Sequence, residues 1–347
     1  MIRYILSIIL IFLIGKSIYA QSNGTQKLDS LKISGYCDLY SAHDFLNPNS
    51  LSADLFVSSN QLNQVAINLA YLNIGFYKNN FSFQFTPAIG TYMQANYRNE
   101  KKGTRWIYEA YAGWSVHGKK LKQIDVGVFT SPYTQENAIS AQQIMYSRSL
   151  STEYVPYYLS GVRNSFQFNK NLKLAAYLIN GWQHLPSLTY LPALGTWLSW
   201  TKNSSTLNWT SYLGNEKTKN NPAATWRYFN EVNIERQFKK IKFQSCAYYG
   251  FQVVDKSLKH WWQMNAIASY SFNSKLSMNG RVEYIRDRDD IQIQQYIDPN
   301  GFYFIGTSFG LKYKPNTALS IGAELKSMHN KNGLNNLIGF IFIQTNF

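Results

Sequence analysis

Arg105-Trp106-Ile107-Tyr108-Glu109-Ala110-Tyr111-Ala112-Gly113-Trp114-Ser115-Val116 is the stretch that decides the fold. Side chains along a strand alternate between two faces. The even positions, from Trp106 through Tyr108, Ala110, Ala112 and Trp114 to Val116, form an apolar face with aromatic residues at both ends. The odd positions, Arg105, Ile107, Glu109, Tyr111, Gly113 and Ser115, form a more polar one. Trp106 and Trp114 are eight residues apart. On a strand tilted by about 40° that spans ~20 Å of depth, close to the apolar band between the aromatic girdles of a membrane barrel.

The same two-faced pattern recurs downstream. Trp226, Tyr228, Val232 and Ile234 oppose Arg227, Glu231, Asn233 and Glu235. Ile241, Phe243, Ala247, Tyr249 and Phe251 oppose Lys242, Gln244, Tyr248 and Gln252. Trp262, Met264, Ala266, Ala268 and Tyr270 oppose Gln263, Asn265, Ser269 and Ser271. Leu276, Met278, Gly280, Val282 and Tyr284 oppose Ser277, Asn279, Arg281 and Glu283. Trp106, Tyr108, Trp114, Trp226, Trp262 and Tyr284 are therefore read as the aromatic girdle at the lipid surface. Over Val65–Tyr77 the alternation weakens and assigns no face.

Roughly sixteen such runs follow Leu31, and their connections alternate in length. Every second one is a turn of a few residues: 77–80, 117–120, 169–171, 202–204, 238–240, 273–275 and 314–316. The others are mostly longer, above all Asp44–Gln64, Tyr92–Arg105 and Ser131–Pro156. Short turns at one rim and long loops at the other point to an all-β, antiparallel transmembrane barrel, with periplasmic turns and extracellular loops. An even strand count returns both ends of the chain to the short-turn rim.

The first residues read as a secretory signal peptide over 1–20. Arg3 supplies the positive start, Tyr4–Ile14 the apolar stretch and Ala20 the small residue before cleavage. A short periplasmic segment, 21–30, then precedes a single barrel domain, 31–347. No later segment is apolar for the roughly 20 residues a spanning helix needs, so insertion has to be by strands. The final run ends on Phe347. It resembles the C-terminal sorting signal of bacterial outer-membrane barrels, which implies the barrel assembly machinery as a partner during biogenesis and outer-membrane lipids around the finished wall.

Aromatic residues make up 16% of the chain and charged residues 15%. A helical membrane protein would be far more apolar, whereas a barrel with a wet interior needs one lipid-facing side chain in two. The net charge of +15 raises the question of a nucleic-acid partner. No binding motif accompanies it, and much of the charge sits in the short turns, at Lys78, Lys119, Lys120, Lys122, Lys170, Lys202, Lys239, Lys240, Lys275 and Lys314. Lysines there are read as anchors among lipid headgroups. Parity puts Cys37 on the lipid face and Cys246 in the lumen, so the pair is poorly placed for a disulfide.

Charged residues on the polar faces are expensive in lipid, so they are assigned to a water-filled lumen. The candidate pore-lining residues on the wall are Glu109, Arg163, Arg227, Glu231, Lys242, Arg281 and Glu283. Ser131–Pro156 adds Glu136, Arg148 and Glu153 as a candidate constriction. Within it, Ala138, Ala141 and Ile144 have helical spacing and predict a short helix over Thr134–Leu150. Asp287-Arg288-Asp289-Asp290, with Asp298 beyond, is read as a solvated acidic run rather than a cation site.

The residues now in view resemble the OmpL-like putative beta-barrel porin family of Bacteroidota outer membranes. Ser34-Gly35-Tyr36 with Asp38 and Tyr40, Asn68-Leu69-Ala70-Tyr71, Gly90-Thr91-Tyr92 and Tyr108-Glu109-Ala110 carry the similarity. Glu136-Asn137-Ala138-Ile139-Ser140, Ser147-Arg148-Ser149-Leu150, Pro156-Tyr157-Tyr158 with Gly161, Asn180-Gly181-Trp182-Gln183 and Trp226-Arg227-Tyr228-Phe229 continue it in the same order. The resemblance implies a porin-like barrel in a Gram-negative outer membrane and names no substrate.

The function expected is passive diffusion of small hydrophilic solutes or ions, with a weak lean toward anions because basic lumen residues outnumber acidic ones. No cofactor, metal or catalytic residue is expected. The five histidines, His43, His117, His184, His260 and His329, fall at strand ends or in connections and open no nucleophile motif. The alternative is a surface-exposed binding protein or adhesin on a barrel with a closed lumen. Homo-oligomers are common among such barrels, but no feature of the sequence marks a subunit interface.

Overall fold

The computed structural model describes residues 30–53, 55–117, 120–189, 191–219, 221–293, 301–330 and 335–347. The signal-peptide reading of residues 1–20, residues 21–29, Lys119 and Asp298 lie outside them.

Sixteen strands are described, each antiparallel to its neighbours, and they close into a barrel. In chain order they are β1 (Ser30–Asp44), β2 (Val65–Lys78), β3 (Phe81–Ile89), β4 (Ile107–Ser115), β5 (Leu121–Thr130), β6 (Tyr158–Gln167), β7 (Leu172–Ile179) and β8 (Ala193–Lys202). Then come β9 (Ser205–Asn215), β10 (Ala224–Phe238), β11 (Ile241–Val254), β12 (Ser257–Ser271), β13 (Leu276–Asp287), β14 (Phe302–Tyr313), β15 (Leu319–His329) and β16 (Asn336–Asn346). Two short helices lie in the long loops, α1 (Thr91–Asn96) and α2 (Leu150–Glu153).

The connections sort by length as expected, with one exception. β11 and β12 join at the long-loop rim through Asp255 and Lys256 alone, both at positive φ. In the short turns Asn79 and Asn203 also take positive φ, a conformation asparagine tolerates better than most residues. Gly127 and Gly161 face each other across β5 and β6 at φ of +141° and +149°. A Cβ on either would lie 2.2 Å from a carbonyl oxygen of the adjoining strand, so only glycine lets the wall pass here.

The barrel closes where β1 meets β16, with Tyr36 opposite Asn346 and Asp44 opposite Ile338. Gly35 and Phe347 exchange backbone hydrogen bonds at 3.1 and 3.2 Å. The Phe347 ring lies where a side chain on residue 35 would be, so the glycine leaves room for the terminal aromatic.

The period-2 reading of β10 to β13 holds residue by residue. Trp226, Val232, Trp262, Met264 and Val282 are exposed on the lipid side, while Arg227, Glu231, Gln263, Asn265, Arg281 and Glu283 are buried inside. Cys37 and Cys246 are both free thiols, the second buried in the lumen.

Four register shifts interrupt the ladders, and two of them bear on the sequence reading, one by correcting the girdle. The β3–β4 register shifts between Thr86 and Pro87, which pair with Glu109 and Ile107, so Tyr108 is the extra residue. An extra residue turns its side chain to the other face. Tyr108 is therefore buried inside the lumen, stacked on Tyr71 at 5.8 Å, and is not part of the lipid-facing girdle. Trp106, Trp114, Trp226 and Trp262 remain on the outer surface, and Tyr284 packs against Trp262 there at 4.8 Å. The second bulge lies between Asp38 and Leu39, opposite which Asn68 is skipped. Asn68 and Leu69 both point inward, which is why Val65–Tyr77 has no readable alternation.

Candidate functional site

Residues 131–156 leave β5, turn into the lumen and cross it. Their anchors run from β9 round to β1. Tyr133 donates its hydroxyl to the Ser211 carbonyl at 3.3 Å, and the Thr134 amide donates to Glu231 at 2.7 Å. Gln135 reaches Asn265 at 2.7 Å, and the Tyr248 hydroxyl donates to the Ser151 carbonyl at 3.3 Å. Lys312 and Lys326 donate to the carbonyls of Gln143 and Arg148 at 2.7 and 2.8 Å. On the far side Tyr146 stacks on Phe342 at 4.3 Å, and Tyr36 accepts the Ala141 amide.

The helix expected over Thr134–Leu150 does not form. A single 3-10 turn at Ser140–Gln142 and α2 stand in its place. The reason is where the backbone N–H groups go, since each buried one needs a partner. Carboxylates replace the carbonyl one turn back. Glu324 accepts the amides of Tyr146 and Ser147, Glu283 that of Leu150, Glu136 that of Ser149 and Glu231 that of Thr134.

At the centre of this docking surface is Arg281, fully buried. It lies 3.4 Å from Glu136, 3.2 Å from Glu283 and 3.5 Å from Glu324, and donates to the Ser147 carbonyl at 2.6 Å. Lys326 joins through Glu283 at 3.2 Å. Arg148 is likewise buried but turns back on its own loop, holding the Asn137 and Ala138 carbonyls and the Ser140 hydroxyl. Glu136, Arg148, Glu231, Arg281 and Glu283 therefore lie under or within the loop, with little contact to open lumen.

Glu153 ties this loop to the first long loop, residues 45–64, accepting the amides of Val57 and Ser58 at 2.6 and 3.0 Å. Burial raises its carboxyl above the ordinary value, with Arg148 pulling the other way. Around it the outer half of the lumen fills with loop side chains. Tyr92, Met93 and Tyr97 of the 90–106 connection pack on Tyr108, Tyr157 and Tyr158, and Leu55, Phe56 and Leu62 on Tyr146 and Phe302.

The wall from β2 to β8 keeps its own polar groups. Arg163 pairs with Asp125 at 2.8 Å and lies over the Phe129 ring at 4.8 Å. Glu109 accepts the Thr130 amide at 3.2 Å. Lys242, toward the short-turn rim, pairs with Glu235 at 3.0 Å, both side chains partly open. Arg227 stands apart near the long-loop rim, held by Gln252 between the rings of Trp182 and Trp261.

The acidic run acts as a loop cap. The Asp287 carboxylate accepts the amides of Ile291, Gln292 and Ile293, and Asp289 pairs with Lys259 at 3.1 Å. Sequence reasoning passed over Asp125 and Lys312, and gave Asn265 only a face and Trp182 no role at a site. Parity alone places Asp125 and Asn265 inward, but nothing local says which inward groups meet a loop more than a hundred residues away.

A family model described as putative beta-barrel porin-2, OmpL-like, matches residues 30–344. No curated protein matches the chain. Among solved structures, the barrel is similar to the outer membrane channel DcaP of Acinetobacter baumannii (TM-score 0.64, 11% identity, 92% of this chain and 97% of that one). It is also similar to an anion-selective porin from Comamonas acidovorans (TM-score 0.63, 9% identity, 92% and 100% covered). A third likeness is to the trimer form of in-vitro-folded OmpT, an outer membrane protein of Vibrio cholerae (TM-score 0.58, 8% identity, 92% and 99% covered).

Proposed function

Since the chain belongs to the putative beta-barrel porin-2, OmpL-like family and is accordingly an outer-membrane channel for passive diffusion, we propose that residues 131–156 set what passes. The supporting observation is the Arg281 cluster, which pins this loop across the lumen. Solutes then run along the side the loop leaves uncovered, past β2 to β8. Selectivity on that side belongs to the groups that keep contact with water, among them Arg163 and Glu109, rather than to the charges sealed under the loop. The transported class is small hydrophilic solutes. Diffusion of a hydrated solute needs no covalent step, so the proposal includes no enzymatic activity. Assembly into homo-oligomers belongs to the proposal too, supported by the trimeric OmpT barrel of like fold.

The test is single-channel conductance of the refolded barrel in a planar bilayer, with residues 131–156 intact and shortened. Discrete steps that grow on shortening support the reading. Steps of unchanged size place the constriction elsewhere.

A second reading has one observation in its favour, the dense packing of loop side chains in the outer half of the lumen. A closed barrel displaying its loops for surface binding fits that packing. Silence in the bilayer with both forms would favour it.

A further inference from the structure

We propose that Arg227 and the cavity beside it form a binding subsite, at the outer mouth of the lumen, for the carboxylate of a small organic anion. The inference deepens the channel reading by naming a solute class, and its solute-entry role rests on that reading.

Arg227 is 8% exposed, yet no carboxylate forms an ion pair with its guanidinium among the described residues. A buried charge without a partner is costly unless something meets it. Its Nε and Nη2 both donate to the Gln252 amide oxygen, at 3.1 and 2.6 Å. Its Cζ lies over the rings of Trp182 at 5.0 Å and Trp261 at 5.4 Å. One edge is thus occupied. The Nη1 side remains, and with the second Nη2 proton it presents the fork that fits a carboxylate with two oxygens.

The nearby acids are spent elsewhere. Asp287 accepts three backbone amides of residues 291–293, Glu216 takes the Tyr212 hydroxyl, and Glu153 takes the amides of Val57 and Ser58. Arg227 lines a cavity of about 390 Å³ together with Trp182, His184, Tyr154, Tyr158 and Phe56. That volume suits a small solute. Arg98 and Glu153 share this lining, and the aromatic rings beside Arg227 offer contact to the apolar body of an organic anion, which an inorganic ion lacks.

Isothermal titration of benzoate into the refolded barrel in detergent tests this, with benzamide as the uncharged isostere. Wild type is expected to bind benzoate saturably and benzamide at least tenfold more weakly. Arg227→Gln should weaken benzoate by about tenfold or more, and Arg227→Lys by less, since it keeps the charge and loses the fork. Trp182→Leu lies in a loop outside the wall, so it reads the same site should the Arg227 variants fail to fold. It is expected to weaken benzoate several-fold. Absence of saturable benzoate binding to wild type, or equal affinity in wild type and the folded variants, overturns the subsite. Bilayer conductance of the same preparation separates the two ideas. A conducting barrel that ignores benzoate loses the subsite and keeps the channel. A silent barrel that binds benzoate through Arg227 keeps the subsite and loses the channel.

Discussion

Glu136 of the loop and Arg281 of the wall meet at 3.4 Å with both side chains sealed from solvent. Removing one partner of a buried charge cluster is strongly destabilising, by about 3–5 kcal/mol. Here the strain has an outlet, because the loop can lift and let water reach the carboxylates while the strand ladders stay whole. Arg281→Gln is therefore expected to leave the barrel folded and to give larger, noisier conductance steps. Unchanged steps in a bilayer recording would mean that the cluster does not hold the constriction.

Glu153 is expected to make the first long loop pH-sensitive. Its carboxyl is raised above the ordinary value by burial. A carboxyl raised on folding contributes stability that is full below the ordinary carboxyl range, about pH 4, and is lost as pH rises through the raised value. Protease nicking of residues 45–64 should accelerate with pH in wild type relative to Glu153→Gln, whose amide oxygen accepts the same two N–H groups without titrating. A rate ratio that stays flat across pH rejects this.

Trp106 and Tyr108 should lie on opposite sides of the wall. Spin labels at single cysteines in a cysteine-free background measure it. A label at 106 is expected to be accessible to oxygen in the bilayer, and one at 108 not. Equal lipid accessibility would remove the bulge at Tyr108 and restore a strict alternation.

Cys37 and Cys246 should stay reduced, since the second is buried in the lumen and the first lies on the outer face. A membrane-permeant maleimide should label Cys37 in the folded barrel and reach Cys246 only after denaturation. Mass spectrometry finding a 37–246 disulfide in the folded protein would contradict the fold.

What the sequence revealed follows from how local each signal is. Period-2 alternation and turn chemistry involve neighbours in the chain, so the strands, the hairpins and the faces of β10 to β13 were legible. The Tyr108 and Asn68 bulges were not, because a bulge is defined by the partner strand's register; the one at Asn68 left only a weakened alternation and the one at Tyr108 no local mark. The missing helix over Thr134–Leu150 has the same origin. Its amides are taken by Glu231, Glu283 and Glu324, residues remote in sequence that become neighbours only when the barrel closes. Charges such as Arg281 were correctly placed inside, but parity cannot distinguish a side chain that faces water from one that faces a folded-in loop.

The pairing of Tyr36 with Asn346 has a consequence for assembly. The seam joins the first strand to the last, so the side of β1 away from β2 stays unpaired until almost the entire polypeptide is available. Contacts this remote in sequence make closure slow. Until then both β1 and the newest strand present bare edges, which are templates for mispairing with other chains. A chain cut short anywhere before β16 is thus not a smaller pore but an open sheet with two sticky margins. The barrel is in this sense an all-or-nothing object, in which every strand waits on the last.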